Sequence, residues 1–192
     1  MTPENREFLF LLGNSRPDGN TELLARKAAE VLSLSIKQTW LRLADLPLPA
    51  FEDIRHHETR RYAVETPNEK VLLDATLSAT DIVIASPVYW YSVSASTKLY
   101  LDYWSGWMRL PDIEFKKRMA EKTMWAITVH SDDETTAGVQ PLIDTLRYSA
   151  EYMEMKWGGV LLGYGNRPGD VLDDEASLTQ ASTFFATLQK GG

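Results

Sequence analysis

Two short stretches carry the residue types that could hold a cofactor. The first, Gly13 to Thr21, reads GNSRPDGNT. Backbone N–H groups at a helix N-terminus, hydroxyls from Ser15 and Thr21, the Asn20 amide and the Arg16 cation are a suitable set for gripping a phosphate. A helix N-terminus favours an anion by roughly 0.3–1 kcal/mol, rising to about 2 when partly buried. Arg16 adds a charge-assisted hydrogen bond. The stretch is neither common nucleotide fingerprint. No lysine precedes Lys27, which excludes a Walker loop, and Gly13 and Gly19 stand too far apart for G-x-G-x-x-G. The alternative is an ordinary strand-to-helix turn with Asn20 as its N-cap, and these residues alone weigh the two readings equally.

The second stretch is Ser86-Pro87-Val88-Tyr89-Trp90-Tyr91-Ser92. Three consecutive aromatics cannot all face one core, so at least one is left for a cavity wall or an interface. A flat heterocycle needs such a wall, plus backbone groups aimed at its polar edge. Pro87 stiffens the start of the loop. A helix staple or a dimer contact is the competing use for these rings.

Five apolar runs alternate with helix-patterned segments and position these loops. Phe8 to Leu12 is continuous and apolar, as in a strand buried on both faces. Leu23, Leu24, Ala28, Val31 and Leu32 then recur at helical spacing. Further strands are expected at 36–43, 81–85, 123–129 and 160–164, with helices at 69–79, 95–108, 136–155 and 175–188. Residues 52–69 are expected to form an exposed loop or short helix, and 109–122 a connection with a basic turn at Lys116-Lys117-Arg118. Strands alternating with helices imply a parallel sheet covered on both faces. Ligands of such sheets sit beyond the carboxyl ends of the strands, where the winding reverses. The site-building loops are therefore 13–20, 86–93 and 130–137. No domain boundary appears, and residues 1–192 are expected to form one domain.

Composition narrows the function. The chain has 192 residues, 44% of them hydrophobic, enough for a sizeable core. A formal charge of -7 argues against a nucleic-acid binder. Cysteine is absent, which removes disulfides and thiolate metal or iron–sulfur sites and fits a reducing cytoplasm. Neither a signal peptide nor a membrane span is expected. His56-His57 beside Arg60-Arg61 reads as a solvated loop, because adjacent histidines do not share a helix face. Glu151 and Glu154 read as an exposed helix face, so no metal site is expected.

GNSRPDGNTELL resembles the phosphate loop G-S-x-R-x-x-G-N-T of flavodoxin-like NAD(P)H-dependent FMN reductases. SPVYWYSVSASTKLYLDYW resembles their second signature, S-P-x-Y-x-x-S-x-(S/P)-x-x-x-K-x-x-x-D. The resemblance implies a three-layer sandwich around a parallel sheet of order 2-1-3-4-5. It implies FMN, its phosphate held by Ser15, Arg16, Asn20 and Thr21, with Asn14 and Ser131 also at the cofactor. Pro87, Val88, Tyr89, Trp90, Tyr91 and Ser92 would line the ring. Lys98 and Asp102 match motif positions and equally suit a salt bridge at i, i+4. Asn14 departs from the family's serine. The third loop, His130 to Gly138, departs in being acidic and lacking a glycine-rich start, and carboxylates beside a flavin would repel nicotinamide phosphates.

The function implied is an FMN-dependent oxidoreductase. NADPH or NADH would be the donor, and a quinone, azo, nitro or similar small molecule the acceptor. No side chain need act as an obligate acid or base, so no catalytic residue is assigned. The rival classes are a flavodoxin-type electron carrier, which an acidic surface would suit, and a cofactor-free scaffold that keeps the fold. The aromatic helix 95–108 and the family resemblance together imply a homodimer.

Overall fold

The computed structural model describes residues 6–131 and 137–186. In chain order the elements are β1 (Glu7–Leu12), α1 (Asn20–Ala29), β2 (Lys37–Arg42), α2 (Pro67–Ser78), β3 (Asp81–Ala85), α3 (Ala95–Trp107), α4 (Phe115–Ala120), β4 (Thr123–His130), α5 (Gln140–Tyr152), β5 (Lys156–Tyr164) and α6 (Glu175–Phe184). The five strands form one parallel sheet in the order β2-β1-β3-β4-β5. This is the flavodoxin-like arrangement that the alternating pattern and the two motifs imply.

Side chains alternate across a strand, and here both sides are apolar. Leu9, Leu11, Ile82, Ile84, Met124 and Ala126 pack with α2, α3 and α5 in one core layer. Phe8, Phe10, Leu12, Val83, Ala85, Trp125 and Ile127 pack with α1 and α6 in the other. Burial on both faces is why the central strands read as unbroken apolar runs. Trp104 and Trp107 of α3 lie in the first layer, 4% and 0% exposed.

The differences from expectation have local causes. β5 starts at Lys156 rather than at residue 160, through a Trp157-Gly158-Gly159 run that lacks a strand signature. Gly158 is required there, because a Cβ would sit 2.3 Å from Cδ2 of the Trp125 indole. The β4–β5 register is irregular beside it, between Met124 and Trp125. α2 opens at Pro67 because Thr66 caps it: the Thr66 hydroxyl accepts from Glu69 N at 3.1 Å, and the Glu69 carboxylate accepts from Glu65 N at 3.0 Å. In the expected connection 109–122, buried Phe115 and Met119 stand one turn apart and form α4. α5 starts at Gln140 after a 3-10 turn at Ala137–Val139, and residue 136 lies outside the described residues. α6 ends at Phe184, and the expected continuation to Leu188 likewise lies outside them.

Beneath the sheet, Lys122 is 6% exposed and its ammonium donates to the carbonyls of Leu77 (3.0 Å) and Ala79. Burial first, and then the Arg118 charge, push its pKa down from 10.5 to about 8. At pH between these values the unfolded chain holds a proton that the folded chain has released, so the group's contribution to stability rises with pH. Relative to Lys122→Met, the wild type should therefore gain about 2 kcal/mol in urea unfolding between pH 7.5 and pH 10. A flat difference would contradict the assignment.

Candidate active site

The strand registers bring three loops to one level. Leu12 pairs with Ala85 and Ala85 with Ile127, so the loops after β1, β3 and β4 open side by side. Their contacts are tight. Gly13 N–H donates to Ala85 O at 2.8 Å, and Ser94 N–H donates to the Ser86 hydroxyl at 2.9 Å. Ser94 in turn caps α3, its hydroxyl accepting from Thr97 N at 3.3 Å. A Cβ on Gly13 would lie 2.3 Å from the Thr97 hydroxyl oxygen and 2.8 Å from that of Ser94, so only glycine allows this approach.

Between the loops lies a cleft of about 490 Å³, within the usual range for small-molecule sites. Asn14, Ser15, Arg16, Gly19, Asn20 and Thr21 line one end. Pro87, Val88, Tyr89, Trp90 and Tyr91 line a second wall, with His130, Ser131 and Gly138 from the loop after β4. Gly165 and Asn166, after β5, complete it. Ser92 stands outside the lining. Its backbone instead closes a tight turn with Tyr89, through N–H to O distances of 3.0 and 3.1 Å.

At the anion end, α1 begins at Gly19 with no side chain capping it. Its first-turn N–H groups are therefore available to an outside anion. Asn20, expected as the N-cap, does something else. Its amide nitrogen donates to Arg167 O (2.8 Å) and its amide oxygen accepts from Gly169 N (2.8 Å). This ties the loop after β5 to the mouth of α1. Arg16 is exposed and makes no ion pair among the described residues.

Glu22, Arg26 and Arg42, to which neither signature assigns a role, form a network under the loop. Glu22 is 1% exposed and bonds to both arginines and to Asn14. Burial raises its pKa, but hydrogen bonds from Arg42, Arg26 and Asn14 outweigh that and hold it below the usual carboxylate value. The spacing of Glu22 and Arg26, at i and i+4, was a readable signal. Arg42 could be placed only once β2 was paired with β1.

The aromatic wall is strained. Trp90 and Tyr91 have φ of 50° and 64°, the left-handed pair that a type I′ turn demands. Residues with a side chain incur about 1–2 kcal/mol each there. Trp90 is 91% exposed, and the Tyr91 ring packs 3.5 Å from the position of a Cβ on Gly138. On α3, Lys98 pairs with Asp102 as the bland reading expected. His56 and His57 lie on an exposed loop. Among the described residues no His, Asp or Glu cluster could hold a metal, and no helix is long and apolar enough to cross a membrane. Asp132, Asp133 and Glu134, the acidic part of the third loop, lie outside the described residues.

Residues 7–169 match the family described as NADPH-dependent FMN reductase. The chain belongs to that family. It is therefore an NAD(P)H-dependent, FMN-containing oxidoreductase rather than an electron carrier or a cofactor-free scaffold. One relative is YwqN of Bacillus subtilis (strain 168), whose name describes an NAD(P)H-dependent FMN-containing oxidoreductase. It is 33% identical over 171 residues, covering 88% of this chain and 91% of YwqN. Among solved structures, the Trp repressor binding protein of Bacillus subtilis superposes with a TM-score of 0.72 at 28% identity, covering 93% of this chain and 97% of its own. An FMN-dependent NADH-azoreductase from Bacillus anthracis, solved with FMN, gives 0.63 at 12% identity over 95% and 99%, which attests the fold alone.

The cleft fits the family's cofactor on its own chemistry. It offers an uncapped helix start and a guanidinium that is unpaired among the described residues to a phosphate, and aromatic rings to a flat heterocycle. Asn14 Oδ1 and His130 Nδ1 are buried and lack hydrogen-bond partners among the described residues. Both residues line the cleft, where such atoms call for a ligand or ordered water.

Proposed function

We propose that this reductase passes electrons from NADPH or NADH, through FMN held in the cleft after β1, β3 and β4, to a small planar acceptor such as a quinone, azo or nitro compound. The observation that carries this reading is the pairing, in one cleft, of the uncapped α1 start beside Arg16 with the exposed Tyr89-Trp90-Tyr91 wall. FMN, when bound, supplies the two-electron chemistry. The chain's own residues bind and orient.

Ser15, Arg16 and Thr21 hold the phosphate with the first-turn N–H groups, while Asn20 contributes its backbone and braces the second jaw with its side chain. Asn14 and Ser131 face the ribityl and ring region. Pro87 to Tyr91 form the ring wall, and Ser92 acts by closing the turn. The rim rings at 53%, 91% and 63% exposure offer an aromatic face to an incoming acceptor. Outside the cleft, the groove between α3 and α5, lined by Leu101, Met108, Tyr148 and Tyr152, is the face offered for a homodimer. The cysteine-free, acidic chain is read as one cytoplasmic domain.

One cuvette tests the core of the proposal. Protein reconstituted with FMN should lose its visible flavin absorbance on anaerobic addition of NADPH or NADH, and regain it with a quinone or azo dye. Protein that binds no FMN, or whose flavin neither nucleotide bleaches, would refute it. Light scattering that gives a monomer would remove the dimer.

A further inference from the structure

We infer that Glu22 and Arg42 are positioning residues: a buried ion pair that shapes the phosphate loop from beneath, so that its remaining donors face the cofactor. The inference rests on the FMN reading above. Neither residue lines the cleft.

The contacts are specific. Glu22 Oε2 accepts from Arg42 Nη2 (2.8 Å), Asn14 Nδ2 (3.2 Å) and the backbone N–H of Asp18 (3.2 Å). Its other oxygen accepts from Arg26 at 2.7 and 3.2 Å. Arg42 Nη1 donates to the carbonyls of Arg16 (3.0 Å) and Asn14 (3.5 Å). Arg42 itself is only 14% exposed.

Two side chains thus engage the loop's inward-facing backbone groups. A trans peptide is planar with its C=O and N–H opposed. Holding Asn14 O toward Arg42 therefore turns the Ser15 N–H the other way. The Arg16 carbonyl precedes Pro17, which has no N–H to misdirect. Asp18, at φ 54°, is kept in its left-handed conformation by the bond from its N–H to Glu22. The ligand-facing donors include the Ser15 and Thr21 hydroxyls, the Arg16 guanidinium, the Ser15 N–H and the start of α1. Asp45 also reaches Arg42 Nε at 3.6 Å, so two carboxylates balance two guanidiniums and the cluster acts by shaping the loop rather than by net charge.

Riboflavin is the discriminating probe, because it keeps the ring and ribityl chain but lacks the phosphate. Dissociation constants for FMN and riboflavin should be measured by flavin fluorescence for wild type, Arg42→Lys and Glu22→Ala, with thermal unfolding alongside. Arg42→Lys keeps the charge but loses the fork that reaches one carboxylate and two carbonyls. Both variants should weaken FMN about tenfold or more while moving riboflavin less than about threefold. If the cluster acted only through net charge, Glu22→Ala would bind FMN more tightly and Arg42→Lys would be unchanged. Either result overturns the inference. So does equal weakening of both flavins, which would mark a general loss of stability. A wild type that binds riboflavin as well as FMN would sink the phosphate reading itself, a separate failure visible before any variant is made.

Discussion

A Gly13→Val protein should bind FMN about a hundredfold more weakly than wild type, the order of loss that a displacement near 1 Å causes in an organised site. The new side chain would meet the Thr97 and Ser94 hydroxyls at 2.3 and 2.8 Å, and both residues are buried. Ser94 caps α3, so it cannot retreat without loosening the start of the helix into which the aromatic wall runs. Relief must come from moving the loop after β1 away from α3, which separates the phosphate end of the cleft from the ring end. Overpacking of this kind also destabilises by about 1–3 kcal/mol. Fluorescence titration with FMN, at a temperature where circular dichroism confirms folding, checks this. Near-wild-type affinity would mean that the two loops need not touch.

The largest stability effect is expected at the opposite end of the sheet. Asp81 opens β3 at 1% exposure. Its carboxylate accepts from Arg6 Nε (2.8 Å), Trp125 Nε1 (3.0 Å) and the Thr80 hydroxyl (2.8 Å), and also from Arg6 Nη2. Asp81→Ala removes the acceptor of a guanidinium whose side chain is only 16% exposed and of the buried Trp125 indole N–H. Breaking a buried pair in this way costs about 3–5 kcal/mol. Urea unfolding should register that loss, whereas FMN affinity under folding conditions should stay within about twofold, because no ligand-lining residue is disturbed. A loss below about 1 kcal/mol would show that water or a neighbour replaces the carboxylate.

The architecture was legible because every central strand is buried on both faces and α2, α3 and α6 open on Thr66, Ser94 and Asp174, whose side chains cap them. β1 reads FLFLL, and the order 2-1-3-4-5 is what the family resemblance implies, through the motifs that follow β1 and β3. What escaped notice had no local signature. The Gly158-Gly159 pair argues against a strand by propensity, yet β5 runs through it because the Trp125 indole occupies the space of a side chain. The Trp90–Tyr91 turn lacks the Asn-Gly or Asp-Gly pair by which a type I′ turn is usually read, so its left-handed backbone was invisible until the ends of the turn were seen to pair. In the cleft, the motif residues from Asn14 to Arg16, Asn20, Thr21 and Pro87 to Tyr91 line the walls, and Ser92 does not. The motifs could not tell that the Asn20 side chain is used on another loop, or that Arg42, twenty residues from Glu22, supports the phosphate loop from the neighbouring strand. Those facts reside in pairings between distant segments, which spacing along one chain does not encode.

The bond between Asn20 and the segment 167–169 spans 147 to 149 residues of chain. Synthesis on the ribosome runs from the N-terminus, and segments fold as they emerge. The first half of the molecule can thus exist in the cell with β1 and α1 made but the far jaw still untranslated. FMN capture is therefore expected only after residues 167–169 have left the exit tunnel. A nascent chain arrested before residue 165 should accordingly take up flavin far more weakly than the released protein.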